Sequence, residues 1–327
     1  VYKRQELKRL VKESKSIVEF DKKKLSKDPE AFLIAADSNE NIKKRNEIYR
    51  RVYADIFIPA GGRPYSVNGK NWSEFFTDEG KATVRAIIEG ANIFFTDEAR
   101  EKLQERGVFI IKDSSANKTG VICSSYEIIA SLVISAEEFM PIKESYVSQV
   151  IDILRKKADA EAKLLFRVYA EEDRSKTLVE LSLQISKEIN RITDVLLNNL
   201  TENMDKVLKD PLYQSIVFDH CPPVLVERYR DRILEQLPEN HQIAIIASSV
   251  ASYVVYNEGL TWLKSIPSQF WFEALKIYIE KDRLTHQLLD AVKASGLKSK
   301  EQIEAILSMS AARDLTVMEL QSRSILK

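Results

Sequence analysis

Between residues 1 and 140, short apolar runs alternate with stretches in which apolar residues recur every three or four positions. Phe32–Ala36, Ile56–Ile58, Val84–Ile88 and Val108–Ile111 have strand length and turn or charged residues at their ends. Such runs read as buried parallel strands. Gln5–Val18, Asn41–Tyr53, Ser73–Lys81 and Asp97–Arg106 read as the helices between them. The last is the best punctuated. Thr96 is placed to cap it, Asp97 and Glu98 oppose the helix dipole, Ala99 and Leu103 form an inward stripe, and Gly107 ends it. Strand, helix and strand in that order predict a right-handed crossover with parallel strands, half of a nucleotide-binding α/β domain.

The rhythm changes after Pro141, where strand signals and glycines fade and long amphipathic helices take over. Val147, Val150, Ile151, Leu154, Ala158, Ala162 and Leu165 keep one helical face. Leu178, Leu181, Ile185, Ile189, Ile192 and Leu196 keep another, and Thr177 with Glu180 forms a capping box at its start. A helix opening at Pro238 and running to about Tyr256 is apolar or small on nearly every side, which predicts a central position. Trp271–Lys281 and Ser299–Met309 supply two more helices. The predicted fold class is therefore α/β followed by all-α: a partial parallel sheet over residues 1–140, then a helical domain over residues 141–327.

Composition narrows the function. The chain has 327 residues with 49 Lys+Arg and 49 Asp+Glu, a net charge of zero. Nucleic-acid binding relies on a basic surface, so no nucleic-acid partner is expected. Cys123 and Cys221 are far apart and in no metal-type spacing, as for free thiols in a reducing cytoplasm. No apolar run reaches the ~18 residues of a membrane span. The chain starts at Val1 without a methionine, so it is expected to be part of a longer protein, and Val1–Gln5 resembles a translated adaptor remnant.

In open parallel sheets, ligands collect at the loops beyond the strand carboxyl ends. Four such segments stand out. Gly61 and Gly62 admit a close backbone approach to a ligand or simply make a tight turn. Asn92, in Glu89-Gly-Ala-Asn92, and Asn117, in Asn117-Lys-Thr-Gly-Val121, each offer an amide donor and acceptor for a ribose or carboxamide. Each serves equally to close its own loop. Ser124 is either a ligand contact or a small residue at a helix start. Asp113 has the chemistry of an acid or base, or else satisfies loop amides. His220, His241 and His286 are scattered through the helical half, and no catalytic role is expected of them. No Gly-x-Gly-x-x-Gly turn, P-loop, nucleophile elbow or zinc spacing occurs.

The sequence resembles the glutamate dehydrogenase family, specifically its large-subunit, NAD-specific branch. The resemblance rests on Asp55-Ile-Phe-Ile-Pro-Ala-Gly-Gly-Arg-Pro64, Ile88-Glu-Gly-Ala-Asn-Ile-Phe-Phe-Thr96 and Lys112-Asp-Ser-Ser-Ala-Asn-Lys-Thr-Gly-Val121. It extends to Phe20-Asp-Lys-Lys-Lys-Leu-Ser26, Cys123-Ser-Ser-Tyr-Glu127, Leu237-Pro-Glu-Asn-His241 and Ala251-Ser-Tyr-Val-Val-Tyr256. It implies a Rossmann-like domain binding NAD, with L-glutamate and 2-oxoglutarate as small-molecule substrates and a cytoplasmic homo-oligomer as the working form. Asn92 would contact the nicotinamide ribose, and Asn117 would lie near the nicotinamide and substrate. Ala60 and Gly61 would line the passage for the adenosine side, and Ser124 would bind the substrate's side-chain carboxylate.

Thr119 departs from the family's paired glycine, and a β-branched residue tolerates positive φ poorly, which puts the Asn117 loop geometry in question. The family's proton-transfer lysine and its pyrophosphate turn have no counterpart in this sequence. No catalytic residue is carried over, and this chain alone is expected to be inactive. Two rivals stand beside this reading. One is another amino-acid dehydrogenase acting on leucine, valine or phenylalanine. The other is a non-catalytic helical oligomerisation or regulatory module.

Overall fold

A computed structural model of the chain describes residues 2–15, 19, 38–40, 53–61, 63–308 and 311–323. The strand expected at Phe32–Ala36, most of the helix expected at Asn41–Tyr53, the motif at Phe20–Ser26, and Gly62 lie outside the described residues. Two compact units divide at Asp113/Ser114.

The first unit holds helix α1 (Tyr2–Lys12), strands β1 (Ala54–Phe57), β2 (Val84–Ile88) and β3 (Phe109–Ile111), and helix α2 (Asp97–Glu105) between the last two. The strands form one parallel sheet in the order β1-β2-β3, with Ile56 opposite Ala86 and Ile87 opposite Ile110. The strand–helix–strand order and the parallel pairing are as expected. Thr96 accepts from the Ala99 amide at 3.2 Å, and Gly107 follows α2 at φ +83°, a conformation that suits glycine. The helix expected at Ser73–Lys81 is instead a single 3₁₀ turn, Trp72–Phe75, that leads into a bridge between Phe76 and Ala82.

The strands are less buried than their apolar runs predict. Val84, Ile87 and Ile110 are buried, but Ile56, Ile58 and Phe109 are exposed. Among the described residues β1 and β3 are the two edges of a three-stranded sheet, and an edge strand lacks a flanking neighbour on one side. The buried side is filled by Phe57, Phe75, Phe94 and Phe95, whose ring centroids lie 5.3–6.2 Å apart. Tilted and edge-on packing at these separations adds to the area the rings bury.

The second unit is helical. After the single turn Asp113–Ala116, whose first residue ends the first unit, come α3 (Lys118–Val133), α4 (Lys143–Glu171), α5 (Leu178–Glu202), α6 (Pro211–His220), α7 (Pro223–Gln236), α8 (Glu239–Glu258), α9 (Trp271–Ala294), α10 (Lys300–Leu307) and α11 (Ala311–Ser322). The expected helices are present, and α9 runs well beyond Lys281 to Ala294. α8 is central as its composition predicts: Ile243, Ile246, Ala247, Ala251, Val254 and Val255 are all buried, and its main partner is α5. The capping box at Thr177 and Glu180 forms, with both reciprocal hydrogen bonds.

The α4 face needs correcting. Val147, Ile151, Ala158 and Ala162 are exposed, whereas Tyr146, Val150, Glu161, Leu164, Leu165 and Val168 are buried. A buried glutamate interrupts the true stripe, so hydropathy alone shifts the apparent face. Among the described residues no single helix is long and apolar enough to cross a membrane.

Candidate functional site

Parallel strands place every carboxyl end on one edge, so the loops after β1 and β2 are neighbours. They are joined by backbone hydrogen bonds: Tyr65 N–H to Ile93 O at 2.7 Å, Val67 N–H to Phe94 O at 3.0 Å, and Thr96 N–H to Val67 O at 2.9 Å. A β-carbon on Gly90 would lie 3.1 Å from the Pro59 carbonyl oxygen and 3.8 Å from Ala60 Cα. Glycine is therefore what lets the Asn92 loop lie against the loop bearing Ala60 and Gly61. The structure brings Ala60, Gly61 and Asn92 to adjoining loops, all three exposed. At Gly61 a β-carbon would meet nothing within 4 Å, so packing within the unit does not require a glycine there.

Two devices fix this edge. Ile93, next to Asn92, has φ +48°, and Tyr65 has φ +58°. A β-branched residue in that region costs on the order of 1–3 kcal/mol and needs its surroundings to hold it. The Asp113 carboxylate does so, accepting from Ile93 N–H at 2.7 Å. Burial pushes the Asp113 carboxyl up, but the Ile93 amide and Lys112, 3.3 Å away, hold it below its ordinary value. Asp113 thus satisfies a loop amide, the structural one of its two readings. Beneath the loop, Glu89 is fully buried and forked onto Arg100, with Nε–Oε1 at 2.7 Å and Nη2–Oε2 at 2.8 Å. Arg100 also donates to Asp97 at 2.6 Å. Burial pushes the Glu89 carboxyl up against the opposing pull of Arg100.

Asn117 and Ser124 belong to the second unit. The segment expected as a loop at Asn117–Val121 is the start of α3, with half-buried Asn117 as the residue before its first turn. The Asn117 side-chain oxygen lies over Gly120, where a β-carbon would approach it to 3.1 Å. Thr119 has helical rather than positive φ, so the departure from paired glycines imposes no strain. Ser124 is exposed in the second turn and donates to Val121 O at 2.7 Å. Seven residues are nearly two helical turns, so Asn117 and Ser124 share a face about 10 Å apart along the axis.

Sequence reasoning missed the polar cluster under this helix start. Glu161 on α4, almost fully buried, accepts from Ser115 Oγ at 2.6 Å and from Lys118 Nζ at 2.7 Å. Ser115 and Ser114 each lie 2.7 Å from Ser182 Oγ of α5. Lys118 also reaches the Tyr256 hydroxyl of α8 at 3.4 Å, and burial, with the Glu161 charge, pushes that phenol up. Four elements thereby hold the turn that presents Asn117. The glutamate interrupting the α4 stripe was its one visible trace.

Cys123 is half-buried, while Cys221 is buried and its thiol is pushed up to about 12 by burial. Among the described residues no group of three or more His, Cys, Asp or Glu could hold a metal ion.

A parallel sheet with amide- and glycine-bearing loops at its carboxyl edge, followed by a helix opening on a second amide, has the architecture of an α/β dehydrogenase. The chain belongs to the Glutamate/Leucine/Phenylalanine/Valine dehydrogenase family, whose model matches residues 2–171. It is 34% identical over 280 residues to glutamate dehydrogenase 2 of Dictyostelium discoideum, covering 79% of this chain and 26% of that protein. It is 31% identical over 292 residues to the NAD-specific glutamate dehydrogenase of Saccharomyces cerevisiae, covering 78% and 26%. The Neurospora crassa enzyme of the same name is 30% identical over 293 residues, covering 82% and 26%. The chain thus spans about a quarter of the length of the curated relatives it matches. No solved structure matches.

Proposed function

We propose that this chain is part of an NAD-dependent glutamate dehydrogenase, which converts L-glutamate to 2-oxoglutarate and ammonia. The observation that carries the reading is the family match over residues 2–171 together with relatives named as NAD-specific glutamate dehydrogenases. Residues 1–140 are read as completing the dinucleotide-binding domain and residues 141–327 as a helical domain. α3 belongs to the first by role, although its packing partners lie in the helical unit.

The residues at the sheet edge fit an NAD cofactor, with Asn92 on the nicotinamide-ribose side and Ala60 and Gly61 on the adenosine side. Exposed Asn92 supplies an amide donor and acceptor, exposed Ala60 and Gly61 offer backbone without bulk, and Glu89–Arg100 and Asp113 keep the edge rigid. NAD, when bound, takes the hydride from the substrate α-carbon. Asn92 would hold the ribose, Asn117 would serve the nicotinamide end, and Ser124, which now donates to Val121 O, would donate instead to the substrate's distal carboxylate. The polar cluster of Lys118, Glu161 and their hydroxyl partners at the start of α3 holds Asn117 in place. Cations for both carboxylates and the proton-transfer pair are expected from other parts of the longer protein.

The same reading places the protein in the cytoplasm as a homo-oligomer, with neither nucleic acid nor membrane as partner. The charge balance supports the absence of a nucleic-acid partner. Comparing turnover of glutamate and leucine by the full-length protein with NAD tests the assignment. Glutamate oxidation at least tenfold faster than leucine oxidation is expected. A preference for leucine, or no NADH from either, overturns it.

A further inference from the structure

The helical unit contains a cleft of ≈ 660 Å³ between α4, α6, α8 and α9, and its lining includes none of residues 60, 61, 92, 117 or 124. A volume of that size is ample for a small metabolite. Its charge pattern is uneven. Both acids in the lining already have partners: Asp219 accepts from Arg283 at 2.9 Å, and Asp282 accepts from the Tyr253 hydroxyl at 2.8 Å and lies 3.4 Å from His286.

Lys157, half-buried on α4, faces the same cleft and has no ion pair among the described residues. His220 sits beside it, stacked on Tyr126 with ring centroids 5.4 Å apart. Its Nδ1 is 3.4 Å from Ser249 Oγ, and its buried Nε2 has no hydrogen-bond partner among the described residues. With the serine hydroxyl donating to Nδ1, the neutral ring carries its proton on Nε2, a donor without an acceptor. A buried donor without an acceptor and a half-buried ammonium without a counter-charge are both costly. One acidic ligand would satisfy both.

We propose that this cleft is a binding site for a small anion bearing a phosphate or carboxylate group, with the Lys157 ammonium and the His220 Nε2–H as its principal donors. Burial and the neighbouring charges support this placement: burial pulls Lys157 below its ordinary value, and burial together with Lys157 brings His220 down to about 4. An anion between them relieves both effects. Exposed Lys156 adds long-range attraction at the rim. The proposal does not rest on the dehydrogenase reading, because none of its residues is assigned there to cofactor or substrate.

The test is competitive acetylation of the wild-type chain. Trace acetic anhydride is applied at neutral pH with and without inorganic phosphate or glutarate, at ionic strength matched with sodium chloride, and each lysine is read by mass spectrometry. Phosphate, glutarate or both should slow modification of Lys157 at least about tenfold at saturation, while Lys163, an exposed α4 lysine paired with Asp159, is unchanged. The anion that protects identifies the head group. Calorimetric titration should then show about tenfold weaker binding in Lys157→Met and near-normal binding in Lys157→Arg and Lys163→Met. No protection of Lys157 by either anion, or equal slowing at Lys157 and Lys163, overturns the proposal.

Discussion

Replacing Arg100 with methionine isolates the device that underlies the Asn92 loop. Methionine keeps most of the aliphatic volume but removes both hydrogen bonds to Glu89, whose side chain has no solvent exposure, and the one to Asp97. Removing one partner of a buried ion pair leaves an uncompensated charge and costs about 3–5 kcal/mol, whereas replacing both by apolar groups is often near neutral. Arg100→Met should therefore lower the opening free energy of the first unit by about 3–5 kcal/mol, and adding Glu89→Leu should restore most of it. The two compact units make a single global unfolding energy ill-defined, so the readout is native-state hydrogen exchange at the β2 and α2 amides. A loss below about 1 kcal/mol in the single variant, or a double variant no better than the single, would refute the claim that this pair holds the loop.

Other predictions follow from the same contacts. Lys118→Met removes the cation from the Glu161 carboxylate and leaves it hydroxyl donors alone, which should cost about 2–4 kcal/mol, with raised exchange at the first turn of α3; unchanged exchange there removes the cluster's positioning role. Thr177→Ala deletes a capping box and should cost about 1 kcal/mol, read as lost protection in the first turn of α5. His220 is held near 4, below its ordinary 6.5, so the neutral form favours the folded state. That stability is complete above 6.5 and is lost as pH falls toward 4. The helical unit should lose stability across that window, and His220→Gln should flatten the loss in urea titrations at successive pH values.

The short-range grammar was legible in the sequence: the Thr96 cap, the Gly107 stop, the Thr177 box and the all-round apolar α8 each appear where local chemistry puts them. Strand position was not, because Ile56 and Phe109 have the hydrophobicity of central residues yet sit on the outer strands of the sheet that the described residues form. Hydropathy reports what can be buried, and neighbours decide what is. The Asn117 segment reads as a loop because of Gly120, but the tertiary cluster through Lys118 and Glu161 makes it a helix start. The buried polar residues were invisible for a related reason. Glu89, Glu161 and Ser182 look like surface residues until their partners, brought from distant positions, are known.

The most direct test of the assignment is steady-state kinetics of the full-length protein carrying Asn92→Ala or Ser124→Ala, with NAD and glutamate varied separately. The account predicts a split: Asn92→Ala raises KM for NAD about tenfold and leaves KM for glutamate nearly unchanged, while Ser124→Ala does the reverse. Two variants that shift both constants alike, or neither, would contradict the roles given to the sheet edge and to the start of α3.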